Sequence, residues 1–497
     1  MSLNSLDYLI KNKNIKLYFL SGIIGVLTGL IVVAYRFSLS TMTNLRIDIF
    51  SKIANGNMNL LLITIFSFIG IAIILDRLIH RHPMIRGSGL PQVRGILLMK
   101  FEYNWFKELI YKFVGGVLSV GSGLSLGRGG PSIQLGSQIA YGVRKTFKTK
   151  NINEKFLISS GVSAGLSASF NSPLSGIIFT IEELHRYLTP VLLICISLAS
   201  LSAEVIVRIF LGKKTLFNFQ TIIPIDIGLF KNVFFISIFA ILVGVLGVVF
   251  TTNLLKFQKY YSNLKFSSLV KSLGIFAISI FVGIYFLDIQ GVGYQLILKT
   301  GYESFSFKVM GILLVGKLLF TILSNAPGFP GGLFIPSLVL GALAGTLFGM
   351  TLDKILGLDN YFQQYFMVLG MASFITAVMR IPLTANVLLL EMTGSFEFLP
   401  GLILVTIMTY IFTDILNIPS LSSIQYDNLE KNKGIQRKEL SKKTTIFTSP
   451  IMTGSWLDGM EVYKVKWPYD SLLIKIQRNN NDIIPKGSTK ILSGDIL

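Results

Sequence analysis

The sequence predicts an all-α polytopic membrane protein with a small α+β cytoplasmic tail at its C-terminus. The 497-residue chain is 52% hydrophobic and 14% charged, and its mean hydropathy is +0.65. That is more apolar side chain than one soluble core can bury, which excludes a soluble enzyme. A spanning helix needs roughly 20 mostly apolar residues, and about ten segments are expected from runs near residues 17–35, 60–76, 109–126, 156–181, 188–210, 233–255, 268–287, 309–323, 332–350, 364–379 and 397–417.

The net charge of +20 comes from 45 Lys and Arg against 25 Asp and Glu. These basic residues lie between the apolar runs, which is typical of membrane-protein loops and not of a nucleic-acid-binding face. The expected partner is therefore the lipid bilayer and not nucleic acid. The first run follows Lys11, Lys13 and Lys16 without a cleavage signature, so we expect a retained helix in a multi-pass cell-membrane protein with both termini cytoplasmic.

Few residues suit metal or redox chemistry. The chain has one cysteine, Cys195, in an apolar run, and three histidines, His80, His82 and His185. A lone buried cysteine usually packs as a small apolar side chain. No metal and no cofactor are expected.

Three glycine and proline clusters interrupt the apolar runs: residues 87–91 (Gly-Ser-Gly-Leu-Pro), 127–131 (Gly-Arg-Gly-Gly-Pro) and 328–336 (Gly-Phe-Pro-Gly-Gly-Leu-Phe-Ile-Pro). Non-helical backbone is tolerated at membrane depth only where protein or a water-filled cavity satisfies it. Helices that start after such turns present free N–H groups and a positive dipole end. The clusters therefore predict three helix starts that converge on one anion.

The membrane part contains an internal repeat. Residues 161–175 align with 370–384, and Glu182 with Glu391, at an offset of 209, while residues 131–136 align with 336–341 at an offset of 205. We therefore divide this part into halves 1–215 and 216–425. An odd number of crossings per half would make the halves antiparallel, and paired interruptions of this kind point to a transporter's binding site.

The composition changes after residue 425. Residues 426–441 are predicted to form a basic linker, and residues 442–497 a small cytoplasmic domain. Within it, residues 472–477 are predicted to form a strand, 478–482 a turn and 483–485 a returning strand.

Five motifs in order resemble the CLC chloride channel and transporter family. They are the three clusters, Phe-Asn-Ser-Pro-Leu at 170–174 with Glu182 and Glu183, and Arg-Ile-Pro-Leu-Thr at 380–384 with Glu391. The resemblance covers nearly the whole membrane part. It implies an inverted-repeat broken-helix fold, a homodimer with one pore per subunit, chloride as the transported substrate, and no enzymatic activity.

The resemblance also implies a chloride-binding set. Ser88 resembles the serine whose hydroxyl meets the anion, and Phe334 and Ile335 resemble residues whose backbone amides bind it. The full set is Gly87, Ser88, Gly89, Arg128, Gly129, Gly130, Leu333, Phe334 and Ile335. The family's transporters have a glutamate, the gate and outer proton carrier, where this chain has Gly129.

Two further positions bear on the mechanism. Glu183 resembles the inner proton-transfer glutamate of the exchangers. The family's inner-pore tyrosine falls near Leu421, with Tyr426 as the alternative position. Because Gly129 has no side chain to protonate or to occlude a pathway, we expect passive, uncoupled chloride transport, with proton-coupled chloride exchange as the alternative.

A protease is a more distant alternative. Residues 161–165 (Gly-Val-Ser-Ala-Gly) have the form of an intramembrane serine protease motif. Ser163 would need a base to take its proton, and the sequence places no histidine after it within a membrane helix.

The tail resembles the TrkA/RCK C-terminal ligand-sensing domain of potassium-uptake regulators. Residues 454–459 (Gly-Ser-Trp-Leu-Asp-Gly), 472–477, 483–487 and 494–495 carry this resemblance. It implies a small cytoplasmic ligand. That domain's last strand is expected beyond Leu497, so a truncated domain is expected, and a remnant without binding activity is the alternative.

Overall fold

The computed structural model describes residues 13–98, 101, 104–149, 152–185, 187–212, 216, 217, 219, 228–357, 362–432, 449–452, 454–467, 471–478 and 481–497. The chain forms two compact units, Met1–Glu430 and Lys431–Leu497. The first contains all the predicted membrane runs.

The described part of the first unit is helical. Its α-helices are α1 (Lys13–Ala54), α2 (Met58–Arg81), α3 (Leu90–Leu97), α4 (Trp105–Gly121), α5 (Gly129–Thr146), α6 (Ile152–Phe170), α7 (Pro173–Phe179), α8 (Pro190–Leu211), α9 (Leu229–Asn263), α10 (Ser268–Tyr285), α11 (Tyr294–Tyr302), α12 (Phe307–Asn325), α13 (Phe334–Leu356), α14 (Gln363–Met379), α15 (Pro382–Thr393), α16 (Leu399–Ile415) and α17 (Leu421–Asn432).

Eight helical segments among the described residues are long and apolar enough to cross a membrane; they correspond to α1, α2, α8, α9, α10, α12, α13 and α16. The runs near 109–126 and 364–379 form shorter helices, α4 and α14, of 17 residues each. The run 156–181 was predicted as one segment, but it is not continuous. It breaks at Asn171, where φ is +56°, before Pro173 starts α7, because proline cannot donate the hydrogen bond that would continue α6.

The same close helix contact occurs once in each half. A Cβ placed on Gly136 in α5 would lie 2.0 Å from the carbonyl oxygen of Gly161 in α6. A Cβ on Gly341 in α13 would lie 2.2 Å from the carbonyl oxygen of Gly370 in α14. Glycine at these positions lets the two backbones touch. Equivalent residues of the two halves therefore build equivalent contacts.

The two halves are related to each other by an approximate two-fold axis. Gly127 and Gly332, at the 205-residue offset, form an antiparallel bridge. The Gly127 N–H donates to the Gly332 carbonyl at 2.6 Å, and the Gly332 N–H donates to the Gly127 carbonyl at 2.7 Å. Equivalent residues exchange equivalent bonds across a two-fold axis. A two-fold relation of this kind is what the predicted inverted-repeat fold requires.

The second unit contains a short antiparallel hairpin, β1 (Ile476–Arg478) and β2 (Asn481–Ile483), with Ile476 opposite Ile483. The predicted strand boundaries are wrong. Arg478, Asn481 and Asp482 were predicted to lie in a turn, but they pair in the two-stranded ladder. Arg478 is held there by a bidentate ion pair with the buried Asp495. The core consists of Ile451, Val465, Ile476 and Ile491. The predicted linker 426–441 is helical up to Asn432, where α17 ends.

Candidate functional site

The three glycine and proline clusters meet in the structure, as their composition predicts. The Gly87 N–H donates to the Gly328 carbonyl at 3.0 Å, and the Gly331 N–H donates to the Gly87 carbonyl at 3.0 Å. The second cluster joins through the Gly127–Gly332 bridge. A Cβ on Gly130 would lie 2.6 Å from the Ser88 carbonyl oxygen. Only glycine permits this approach.

Each cluster starts a helix at this meeting point. Helix α3 starts at Leu90 after Gly89, whose φ of +89° favours glycine. Helix α5 starts at Gly129, and α13 starts at Phe334. The first N–H groups of a helix have no partner within that helix. Three helix starts therefore direct partial positive charge toward one region, which suits an anion.

Two fully buried lysines each hold a glycine turn, one at residues 85–87 and one at residues 289–291. The Lys112 ammonium donates to the carbonyls of Ile85 and Gly87, both at 2.8 Å. The Lys317 ammonium donates to the carbonyls of Ile289 and Gly291, at 2.8 and 2.7 Å. The lysines occupy equivalent repeat positions, at the 205-residue offset. Sequence reasoning missed both, although a lysine inside an apolar run is a signal of function in a membrane protein.

A cavity of about 30 Å³ lies between the helix starts and is called the central cavity below. It has room for one small ion or water molecule. Its lining includes the predicted residues Ser88, Gly130, Leu333, Phe334, Glu183 and Leu421, together with Leu90, Phe179, Gly332, Met379, Ile381, Ser422 and Gln425. The predicted residues Gly87, Gly89, Gly129 and Ile335 are not among these lining residues, and Arg128 lines a separate cavity of about 220 Å³.

Gly129 lies in sequence between Arg128, which lines the larger cavity, and Gly130, which lines the central one. A Cβ on Gly129 would lie 2.9 Å from two ring carbons of Phe170 and 3.3 Å from the Phe334 Cβ. Phe170 is 1% exposed, and its ring centroid is 5.7 Å from that of Phe334. The Phe170 ring thus occupies the space that a side chain at position 129 would need. Sequence reasoning assigned Phe170 no role.

Glu183 is buried and lines the central cavity. Its carboxylate accepts a hydrogen bond from the Ser422 hydroxyl at 2.5 Å. Ser422 follows Leu421 in α17, so the structure places Leu421, and not Tyr426, at the cavity wall. The Tyr426 ring packs instead beneath the Arg94 guanidinium, whose Cζ lies 5.3 Å from the centroid of the ring. The Ser422 contact was missed, because only the fold brings positions 183 and 422 together.

The serine protease pairing does not form. In the part of the chain that the structure describes, the Ser163 hydroxyl has no hydrogen-bond partner. His185 Nε2 lies 2.6 Å from the Ser159 hydroxyl instead. The described residues contain no group of three or more His, Cys, Asp or Glu side chains arranged to hold a metal.

Comparison with known proteins identifies the family. A model of the voltage gated chloride channel family matches residues 70–414, which is more than half of the chain. The chain belongs to this CLC family. It is therefore a multi-pass membrane protein of a chloride-transporting family.

Curated relatives and solved structures agree with this assignment. The chain is 28% identical over 395 residues to the H(+)/Cl(-) exchange transporter ClcA of Salmonella agona, covering 78% of this chain and 83% of that protein. It is 28% identical over 444 residues to ClcA of Vibrio cholerae, covering 87% and 94%. The fold matches the crystal structure of a slow cyanobacterial Cl⁻/H⁺ antiporter with a TM-score of 0.79 at 24% identity, covering 84% of this chain and 98% of that chain.

Proposed function

We propose that this CLC protein carries chloride passively, without coupled proton movement. The observation that carries the proposal is Gly129 with the Phe170 ring packed against it. A glycine has no carboxylate to compete with chloride or to accept a proton. The ring fills the space in which a longer side chain would sit. Position 129 is thus built without an ionisable group.

The local geometry supports an anion pathway past this position. Arg128 lines the larger cavity and Gly130 lines the central one, so the backbone at Gly129 lies between two regions that favour anions. Partial charges from helix starts hold an ion weakly enough to release it. Chloride would bind between Ser88 and the first turn of α13, and the Glu183 carboxylate is engaged by Ser422.

The proposal is tested by chloride efflux from proteoliposomes with external pH recorded simultaneously. Valinomycin and potassium clamp the potential so that charge movement does not limit the flux. We expect chloride efflux with no protein-dependent pH change. Proton uptake at a fixed ratio to chloride efflux would overturn the proposal.

Proton-coupled chloride exchange is the second candidate function. Glu183 lines the central cavity, and ClcA of Salmonella agona is named an exchange transporter. In this case another group or a water chain would replace the missing carboxylate at position 129. The substitution E183Q separates the two candidates: it abolishes proton movement in an exchanger, and it leaves chloride flux within about twofold in a passive pathway.

Four further expectations belong to this proposal: the chain has no enzymatic activity, forms a homodimer with one pore per subunit, has both termini in the cytoplasm, and binds a small regulatory ligand on a TrkA/RCK-like tail. The resemblances described above support them. The mass of the solubilised protein, measured by light scattering with the detergent contribution subtracted, tests the dimer.

A further inference from the structure

The larger cavity, called the arginine cavity below, is built from three parts of the chain. One wall is a stripe of α1 whose members recur every three or four residues, as one helix face requires: Arg36, Leu39, Ser40, Thr43, Arg46 and Ile47. The opposite wall lies within residues 287–299, which lead into α11, and Arg128 completes the lining. The cavity has a volume of about 220 Å³.

Arg46 is a buried cation with unused donors. It is 7% exposed, and its Nε and Nη1 atoms have no hydrogen-bond partner among the described residues. Gly123 and Gly291 lie against its guanidinium, with φ of +91° and +68°. A Cβ on Gly123 would lie 2.9 Å from Arg46 Nη1, and a Cβ on Gly291 would lie 2.5 Å from it. The surrounding backbone therefore leaves room for this guanidinium while giving those two atoms no acceptor.

Two more guanidinium groups raise the positive charge. Arg128 Nε is also buried without a partner in the described part of the chain. Arg36 donates to the Ala168 carbonyl at 2.8 Å and to Asn171 Oδ1 at 2.5 Å, and it lies close enough to Arg128 for their charges to repel.

The cavity's acidic lining residue does not offset this charge. Asp288 forms an ion pair of 2.6 Å with Lys299, which also lines the cavity. Glu204, which attracts Arg36, forms an ion pair of 2.8 Å with Arg208. A buried cation is costly unless it is paired, so this arrangement favours a bound anion.

The number of donors indicates which anion. Three guanidinium groups around one cavity can donate to different oxygens of one oxyanion, whereas chloride offers a single atom. Helix α11 starts at Tyr294 in the cavity wall, and the N–H groups of its first turn add neutral donors. The volume also exceeds that of the central cavity many times. These features favour a tetrahedral, doubly charged ligand.

We propose that the arginine cavity binds a sulfate or phosphate group and that this binding inhibits chloride flux. Arg128 immediately precedes Gly129, so an oxyanion held there occupies one end of the chloride pathway. The inhibitory part rests on the proposed chloride transport; the binding part does not. Inorganic sulfate, inorganic phosphate and a phosphate headgroup of a lipid share the required chemistry.

The first experiment measures binding without transport. Sodium sulfate is added to the full-length protein in detergent, and sodium gluconate at equal ionic strength controls for screening. We expect sulfate to raise the unfolding temperature, because a ligand that binds only the folded state stabilises it. The variant R46Q should lose this response, and R81Q, which removes an exposed arginine, should keep it.

The second experiment measures chloride efflux from phosphatidylcholine vesicles as sulfate or phosphate is increased. We expect inhibition in wild type and R81Q, and an inhibitory concentration about tenfold or more higher in R46Q, since hydrogen bonds to a charged group contribute about 1.5–3 kcal/mol. The variant R46K keeps the charge but loses the directed N–H donors of the guanidinium, so it should show intermediate inhibition and serves if R46Q does not fold. Vesicles with phosphatidic acid test the lipid source: inhibition there, absent in R46Q, assigns the site to a headgroup.

The outcomes separate the two claims. Sulfate stabilisation that depends on Arg46 supports the site even if the protein carries no chloride, in which case the transport proposal fails alone. The site is overturned if sulfate, phosphate and phosphatidic acid all leave the wild-type melting temperature and flux unchanged, or if R46Q responds to them as wild type does.

Discussion

Glu182 and Glu391 cap helices of each other's half. Glu182 accepts hydrogen bonds from the N–H groups of Leu383 and Thr384 at the start of α15, at 3.0 and 2.8 Å. Glu391 accepts from those of Leu174 and Ser175 at the start of α7, both at 2.9 Å. The two glutamates are equivalent in the repeat, so a single contact is made twice with the halves exchanged. This exchange ties the start of α7 to the second half and the start of α15 to the first half.

Removing the charge of either glutamate should destabilise the membrane unit to a similar extent. A neutral amide weakens two charged hydrogen bonds and its interaction with a helix dipole, so E182Q and E391Q should each cost about 1–2 kcal/mol. Thermal unfolding in detergent measures this, with the exposed Glu397 changed by E397Q as the control. An effect in one glutamate and none in the other would contradict their equivalence.

The glycine contacts between helices make a second prediction. G341A should destabilise the protein by more than about 2 kcal/mol, because its Cβ would lie 2.2 Å from a backbone oxygen that cannot move without shifting α14. G311A is the matched control, since nothing lies within 4 Å of its Cβ and alanine favours a helix. Equal melting temperatures for the two variants would show that the helices are not in close contact.

Much of this architecture follows from sequence pattern. The offsets of 205 and 209 residues identify the repeat, and three glycine and proline clusters identify the helix starts, because these turns need glycine wherever they occur. The two-fold relation of the halves does not follow, since it depends on which equivalent residues meet. The Gly127–Gly332 bridge supplies that information.

The side chains around the site were less predictable. Phe170, Ser422 and Arg46 acquire their roles only through distant partners: Gly129, Glu183 and the backbone at Gly291. An aromatic, a serine and an arginine have no local signature of such contacts. The break at Asn171 is different: apolar residues on both sides were read as one run, although Asn171 and Pro173 are local signals of a helix break.

A glutamate introduced at position 129 should slow chloride flux at neutral pH. Its carboxylate competes with chloride, and its side chain must displace the Phe170 ring. Because protonation removes the competing charge, G129E flux should rise as pH falls, whereas G129Q should be slow at every pH. Efflux rates between pH 7.5 and about 4.5 measure this. A flat pH profile for G129E would contradict a position within the pathway.

The tail should lose stability in acid through one carboxylate. Hydrogen bonds from Arg478 lower the pKa of Asp495 below its ordinary value. A lowered folded-state pKa gives stability that is present above about pH 3.9 and lost as pH falls through the lowered value. At pH 7, D495N should destabilise the tail by about 1–2 kcal/mol, because it weakens a bidentate ion pair.

Both effects are measured as the urea midpoint of the tail, at pH 7 and at acid pH. The full chain carries W105F, which leaves Trp456 and Trp467 as the reporters in the tail. D482N is the control, since its ion pair with Lys475 is half exposed on both sides and contributes little. If D495N and D482N have the same midpoint at pH 7, the buried ion pair does not stabilise the tail.

Proton pumping driven by a chloride gradient tests passive transport most directly. Proteoliposomes are loaded with high chloride at equal internal and external pH, diluted into low chloride with valinomycin present, and followed with an external pH electrode. Passive chloride transport predicts chloride release with no proton accumulation, and a later addition of protonophore should cause no pH change. A pH gradient built by chloride release and collapsed by the protonophore would contradict it, since only coupled exchange moves protons uphill.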